Sequence, residues 1–140
     1  MAEIGFIGMG NMGYAILKGM LKWCPKENIT FYDADGERSR LVEEKTGVKA
    51  AADERDCAGQ AQYLILAVKP QYIRKVADKV RMGLKDGQIV ISIAAGVDRE
   101  YLKAVLNKTG RIVRAMPNTP ALVGEGMTGV CYDENLFSEE

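Results

Sequence analysis

Ile4-Gly5-Phe6-Ile7-Gly8-Met9-Gly10-Asn11-Met12-Gly13 is the stretch whose reading decides the fold. A short apolar run reads as a buried strand. It breaks into Gly8-x-Gly10-x-x-Gly13, and the residues from Tyr14 to Trp23 have helical character. In that strand-turn-helix setting the glycine pattern becomes informative. Gly8 allows the tight turn, Gly10 lets a pyrophosphate approach the backbone, and Gly13 lets helix and strand pack closely. The free N–H groups and partial positive charge of the helix start face the phosphates. A tight turn that binds nothing is the plainer alternative, and the placement favours dinucleotide binding.

Working outward, Ile29 to Tyr32 is a β-rich run ending at Asp33. Asp33 lies about 20 residues beyond Gly13, where a dinucleotide fold places the acid that grips the adenosine ribose hydroxyls. Asp35-Gly36 opens a charged helix from about Glu37 to Lys45, closed by Gly47. Val48 to Ala51 reads as a short third strand, and Asp53 as the N-cap of a small helix to Gly59. Tyr63 to Val68 is apolar without alternation, as in a strand covered on both faces, and stops at Lys69-Pro70. A helix is expected from about Gln71 to Val80, with one apolar face at Ile73, Val76, Ala77 and Val80. Gln88 to Ile93 reads as another buried strand, ending at Ala94-Ala95-Gly96. Asp98 caps a helix from about Arg99 to Leu106, and Arg111 to Met116 leads into Met116-Pro117-Asn118-Thr119-Pro120. That last stretch is not expected to continue as strand, because its prolines fix φ and lack donors. Met127 to Tyr132 is a possible final strand. Alternating strands and helices of this length predict an α/β, doubly wound, mostly parallel sheet of Rossmann type, one domain over residues 1–140. Phe137-Ser138-Glu139-Glu140 reads as the first turn of a helix that does not follow, as in a chain cut at a domain boundary.

Composition narrows the function. Hydrophobic residues are 47% and charged residues 27%, as in a soluble globular protein. Lys+Arg and Asp+Glu are both 19, so no net charge points to nucleic acid or a membrane surface. The chain has no histidine, which removes the usual general base, zinc ligand and Ser-His-Asp triad; no metal site is expected. Three scattered cysteines, Cys24, Cys57 and Cys131, fit a reduced compartment, the cytoplasm. No targeting segment and no membrane-spanning run is evident.

In open parallel sheets, ligands bind beyond the carboxyl ends of the strands. Those ends are Gly8-Met9-Gly10, Asp33, Lys69-Pro70, Ala94-Ala95-Gly96 and Pro117-Asn118-Thr119, expected to line one crevice. Lys69 offers a cation to phosphate or ribose. Ala94, Ala95 and Gly96 are small enough for a flat ring to lie close, and Asn118 and Thr119 offer hydrogen bonds near the reacting end. Each also reads as an ordinary strand-end or turn residue. Met9, Met12 and Met116 read as apolar packing.

These residues carry a resemblance. The stretches from Gly5 to Gly13, Ala67 to Pro70, Ser92 to Val97 and Arg114 to Val123 are similar, in order, to the N-terminal domain of the pyrroline-5-carboxylate reductases. The resemblance implies a two-domain enzyme using NAD(P)H, whose all-helical C-terminal domain, absent from this chain, forms the homo-oligomer and the substrate pocket. By position, Ile7, Gly8, Met9, Gly10, Asn11, Met12 and Gly13 would hold the pyrophosphate. Val68, Lys69 and Pro70 would contact ribose and phosphate, and Ala95 with Ala94 and Gly96 would back the nicotinamide. Asn118 and Thr119 would sit near the transferred hydride. The implied reaction reduces 1-pyrroline-5-carboxylate to L-proline, in proline biosynthesis. The chain alone is expected to bind cofactor, to turn over little substrate, and to be a monomer or weak dimer.

Two positions depart from the family. It usually favours NADPH, often with a small hydroxyl residue where Asp33 stands. A 2′-phosphate about 5 Å from Asp33 would be repelled by about 2 kcal/mol in water. Arg38 or Arg40 could offset that, so NADH is expected to be at least tolerated. Glu54 stands where the family often has an asparagine at the adenosine end. The competing readings are a free-standing nucleotide-sensing module and a related hydroxy-acid dehydrogenase; Met116 to Val123 argues against the latter.

Overall fold

The computed structural model describes residues 2–107, 111–117 and 128–131. The chain alternates β1 (Ile4–Ile7), α1 (Asn11–Met20), β2 (Ile29–Tyr32), α2 (Gly36–Thr46), β3 (Lys49–Ala50), α3 (Glu54–Gln60), β4 (Tyr63–Leu66), α4 (Ile73–Val80), β5 (Ile89–Ser92) and α5 (Arg99–Leu106). β6 (Ile112–Pro117) and β7 (Thr128–Cys131) follow. The strands form one seven-stranded sheet in the order β3-β2-β1-β4-β5-β6-β7. The first six are parallel, and β7 joins the edge antiparallel to β6. The strand order reverses direction between β1 and β4, so a crevice opens beyond their carboxyl ends.

Alternation along the strands divides the core in two. Ile4, Phe6, Phe31 and Ile65 pack with Leu17 of α1 and Val42 of α2 on one face. Ile7, Leu64, Leu66 and Val90 pack with Ala58 of α3, Ile73 and Ala77 of α4, and Leu102 of α5 on the other. Both faces are therefore covered, which is why β1 and β4 read as unbroken apolar runs. Helix starts follow the capping chemistry expected of Asp. Asp35 accepts from Glu37 and Arg38, Asp53 from Asp56, and Asp98 from Tyr101. Gly47 closes α2 at φ 77°, a left-handed conformation that glycine adopts without penalty. Behind the sheet, the buried amide of Gln88 donates to the carbonyls of Ala58 and Ala61, both at 2.6 Å, tying the end of α3 to the start of β5.

Most boundaries fall within one or two residues of the sequence expectation, and the informative differences are at α1, β4 and β6. α1 starts at Asn11, inside the glycine motif, because Gly10 itself is the N-cap, and it ends at Met20 with Leu21 as its C-cap. β4 ends at Leu66 instead of Val68; the backbone of Ala67 turns in against Gly8. β6 runs through Pro117, which the proline argument had excluded. Its parallel pairing with β5 ends at Arg114, so Pro117 lies where only β7 continues the ladder, and a missing N–H there breaks nothing on the β5 side. The final strand is Thr128–Cys131, within the expected 127–132. The expected helix start near Phe137 lies outside the described residues.

Cys57 is a buried group with a measurable consequence. Its side chain is fully buried, with Sγ donating to the carbonyl of Phe6 at 3.4 Å. Burial, then the neighbouring charge of Asp56, pushes its thiol from 9.0 up to about 12. The folded state therefore keeps its proton where the unfolded chain loses it. The contribution to stability is constant below pH 9 and is lost as pH rises towards 12. In urea titrations at pH 8 and pH 10.5, the wild type is expected to lose about 2 kcal/mol more than Cys57→Ala between the two conditions. Equal losses in both would contradict this assignment.

Candidate functional site

The glycine turn is built by contacts that leave its outer side bare. Gly8 has φ +97°, and a Cβ there would lie 2.6 Å from the carbonyl oxygen of Ala67. A Cβ on Gly13 would lie 2.8 Å from the carbonyl oxygen of Gly8. These two glycines are required by packing. Gly10 is different: a Cβ would meet nothing within 4 Å. Nothing in the packing of the described residues demands glycine at that position.

Hydrogen bonding at the turn has the same asymmetry. The N–H of Gly8 donates to the carbonyl of Tyr32 at 2.8 Å, and that of Met9 to Asp33 Oδ2 at 2.7 Å. The next four N–H groups, Gly10 to Gly13, donate to no acceptor among the described residues. The N-cap, Gly10, has no capping side chain, and the first turn of α1 carries no acid. α2, α3 and α5 each begin with an aspartate that accepts from one or two amides of the first turn. α1 thus presents unpaired donors and the positive end of its dipole to the crevice mouth.

The crevice itself encloses about 570 Å³. Ile7, Gly8, Met9, Gly10, Asp33, Val68 and Lys69 line it, all singled out from the sequence. Asn11, Met12 and Gly13 lie just behind, in the first turn of α1. The side chain of Met9 is fully buried in the core and only its backbone faces the turn. Pro70 starts the short 3-10 turn that leads into α4 and is not part of the lining. Ala94 is buried in the core against the α5 side, while Ala95 and Gly96 are exposed after β5; none of the three borders this crevice. Asn118 and Thr119 lie outside the described residues.

Asp33 joins three elements. Its Oδ2 accepts from Met9, its Oδ1 from the Asp35 N–H at 2.8 Å, and its carbonyl from Ser39 Oγ at 3.2 Å. Arg38, also anticipated from the sequence, reaches back to the same loop. Its Nε donates to the Met9 carbonyl at 2.6 Å, and its guanidinium lies 5.2 Å from the centre of the Tyr14 ring. Arg40 instead lines an adjoining hollow with Asp35, Glu37, Arg38, Leu41 and Glu44, and Asp35 borders both spaces.

The far wall was missed in sequence reasoning. Tyr72, Lys75, Val76 and Lys79 line it, Tyr72 being 53% exposed. They sit at spacings of three and four beside the buried stripe Ile73, Ala77 and Val80, so a second helical stripe was there to be read. Glu54, whose side chain is 9% exposed, faces this wall and pairs with Lys79 Nζ at 3.7 Å. No group of three or more potential metal ligands is brought together among the described residues. No helix among them is long and apolar enough to cross a membrane.

Residues 3–96 match the family described as NADP oxidoreductase, coenzyme F420-dependent. The pyrroline-5-carboxylate reductase of Escherichia coli strain K12 is 40% identical over 99% of this chain and 52% of its own length. Among solved structures, a pyrroline-5-carboxylate reductase from Coxiella burnetii superposes with a TM-score of 0.91 at 35% identity, covering 99% of this chain and 52% of that one. The Plasmodium falciparum pyrroline carboxylate reductase, solved with NADP bound, gives 0.83 at 28% identity, over 98% and 50%. The chain thus spans about half the length of the curated relatives it matches.

The geometry separates a structural glycine from an open one. Gly8→Ala is expected to lower unfolding free energy by at least about 2 kcal/mol, through the left-handed backbone and the contact with Ala67. Gly10→Ala is expected to stay within about 1 kcal/mol of wild type. Chemical denaturation of the two variants checks this; equal destabilisation would contradict it.

Proposed function

The chain belongs to the family described as NADP oxidoreductase, coenzyme F420-dependent, and on that premise we propose that it is the nicotinamide-dinucleotide-binding half of a pyrroline-5-carboxylate reductase. The observation that carries the reading is the uncapped start of α1. Four successive N–H groups, Gly10 to Gly13, have no acceptor among the described residues, and the first of them belongs to a glycine with open space around it, at the point where the strand order reverses. That arrangement fits a diphosphate, which brings acceptor oxygens and negative charge and needs close approach to the backbone.

The amides of Gly10 to Gly13 bind the pyrophosphate, and Lys69 at the crevice rim adds a cation to it. Asp33 accepts hydrogen bonds from the adenosine ribose hydroxyls. Val68 and Val76 give the adenosine end apolar contact, and Glu54 with the α4 lysines closes it. Ala95, Gly96, Asn118 and Thr119 serve the nicotinamide end, beyond β5 and β6. When bound, the reduced nicotinamide supplies a hydride to the C=N carbon of 1-pyrroline-5-carboxylate, and the ring nitrogen, protonated, becomes the amine of L-proline. The protein's contribution is orientation and exclusion of water, so the absence of histidine is compatible with this chemistry.

The extent of the relatives supports a second half that supplies the substrate pocket and the homo-oligomer. The 140-residue chain is a monomer or weak dimer in this reading. The free, buried thiols of Cys24 and Cys57 suit the reducing cytoplasm.

The test is an assay of the full-length protein that contains this chain. Oxidation of a reduced nicotinamide cofactor is expected with pyrroline-5-carboxylate and not with hydroxy acids. Gly10→Ala is expected to lower kcat/KM by about tenfold or more without a matching loss of thermal stability. Turnover of hydroxy acids alone, or an unaffected Gly10→Ala enzyme, would overturn the reading.

A further inference from the structure

We infer that the adenosine end of the crevice selects the dinucleotide lacking a 2′-phosphate, with Asp33 as the residue that sets the choice. The inference rests on the cofactor-binding reading above and narrows it from two nicotinamide cofactors to NAD(H). It comes from an inventory of donors where β2 passes into α2.

Several donors at that corner are already held by the protein's own acceptors. The N–H groups of Met9 and Asp35 donate to the Asp33 carboxylate. Those of Glu37 and Arg38, the natural anion site at the start of α2, donate to Asp35 Oδ1 at 3.0 and 3.3 Å. The Ser39 hydroxyl donates to the Asp33 carbonyl. A 2′-phosphate offers only acceptor oxygens and about two negative charges near neutral pH. It would meet two carboxylates that have taken the amides a phosphate needs.

A vicinal diol meets the opposite situation. Each carboxylate oxygen of Asp33 has taken one backbone N–H, which leaves about two further acceptor positions on the group. Ribose bearing free 2′- and 3′-hydroxyls supplies two donors. The two backbone bonds also prevent the carboxylate from turning aside for a phosphate. Asp33 makes no ion pair within 4 Å among the described residues, so its charge is not neutralised locally.

The nearby cations are accounted for in turn. Arg38 commits its Nε to Met9 and its face to Tyr14, leaving only its terminal nitrogens. Across the crevice, Lys79 pairs with Glu54, and Lys75 stands on α4, on the wall opposite α2. Arg40 lines the adjoining hollow, where it shares the wall with Arg38 and with the carboxylates of Asp35, Glu37 and Glu44.

Titrating the chain with NADH and with NADPH, followed by cofactor fluorescence, tests the inference. NADH is expected to bind about tenfold or more tightly than NADPH. Asp33→Ser is expected to shrink that ratio by about tenfold, weakening NADH and strengthening NADPH, with thermal unfolding monitored alongside. Should Asp33→Ser fail to fold, Asp33→Asn keeps an acceptor without the charge and is expected to shrink the ratio likewise. Arg38→Ala is expected to change both affinities by a common factor. Equal or tighter NADPH binding in the wild type, a ratio indifferent to the Asp33 charge, or a selective loss of NADPH in Arg38→Ala would overturn it. Binding of neither cofactor would instead overturn the proposed function.

Discussion

The structure depends on the wedge of Gly8 against the carbonyl of Ala67. At φ +97° and with no room for a Cβ, Gly8 turns the chain off β1 while still touching the end of β4. β1 and β4 are adjacent at the centre of the sheet, so the turn is fixed by the most buried part of the fold. Gly13 then packs on the carbonyl of Gly8 and sets the direction of α1. The consequence is electrostatic. A helix whose first amides have no partner among the described residues is held with its positive end at the mouth of the crevice, and the rigid sheet beneath keeps it there.

A second tether makes the site one unit. Asp33 at the end of β2 binds the glycine turn through Met9 and the start of α2 through Asp35, while Arg38 of α2 returns to the Met9 carbonyl. The turn is therefore held from the core side by packing and from the β2 side by charge-assisted hydrogen bonds, which are stronger than neutral ones. In the proposed reading the same bonds decide which anions the crevice accepts. Among the described residues the first four donors at α1 have no acceptor, while those of Glu37 and Arg38 at α2 are taken by Asp35, so the two helix starts differ in what they offer an anion. One favours a diphosphate, the other repels a phosphate.

Much of this was legible in the sequence because it follows from local chemistry. Aspartates 35, 53 and 98 each precede a helical pattern and each caps it. Gly47 ends α2 as its position implied, and Asp33 fell at the expected strand end. What was not legible depended on neighbours in space. That α1 begins at Asn11 follows from the conformation of Gly10, and that β4 stops at Leu66 follows from the approach of Gly8, just past the end of a different strand. Pro117 is tolerated in β6 only because β5 has already ended beside it. The stripe Tyr72, Lys75, Val76 and Lys79 lay beside an apolar stripe that drew the reading to the core face of α4. The roles of Asn118 and Thr119 rest on the sequence, since they lie outside the described residues.

The central claim is that a diphosphate sits on the bare amides at the start of α1. The direct measurement is the shift of backbone amide NMR signals as NADH is titrated into the ¹⁵N-labelled chain. The largest and saturable shifts are predicted at Gly10, Asn11, Met12 and Gly13, with smaller ones at Asp33 and Lys69. Shifts that spare α1 and gather instead around the surface hollow of Asp53, Arg55, Gly59 and Met82 would contradict the account.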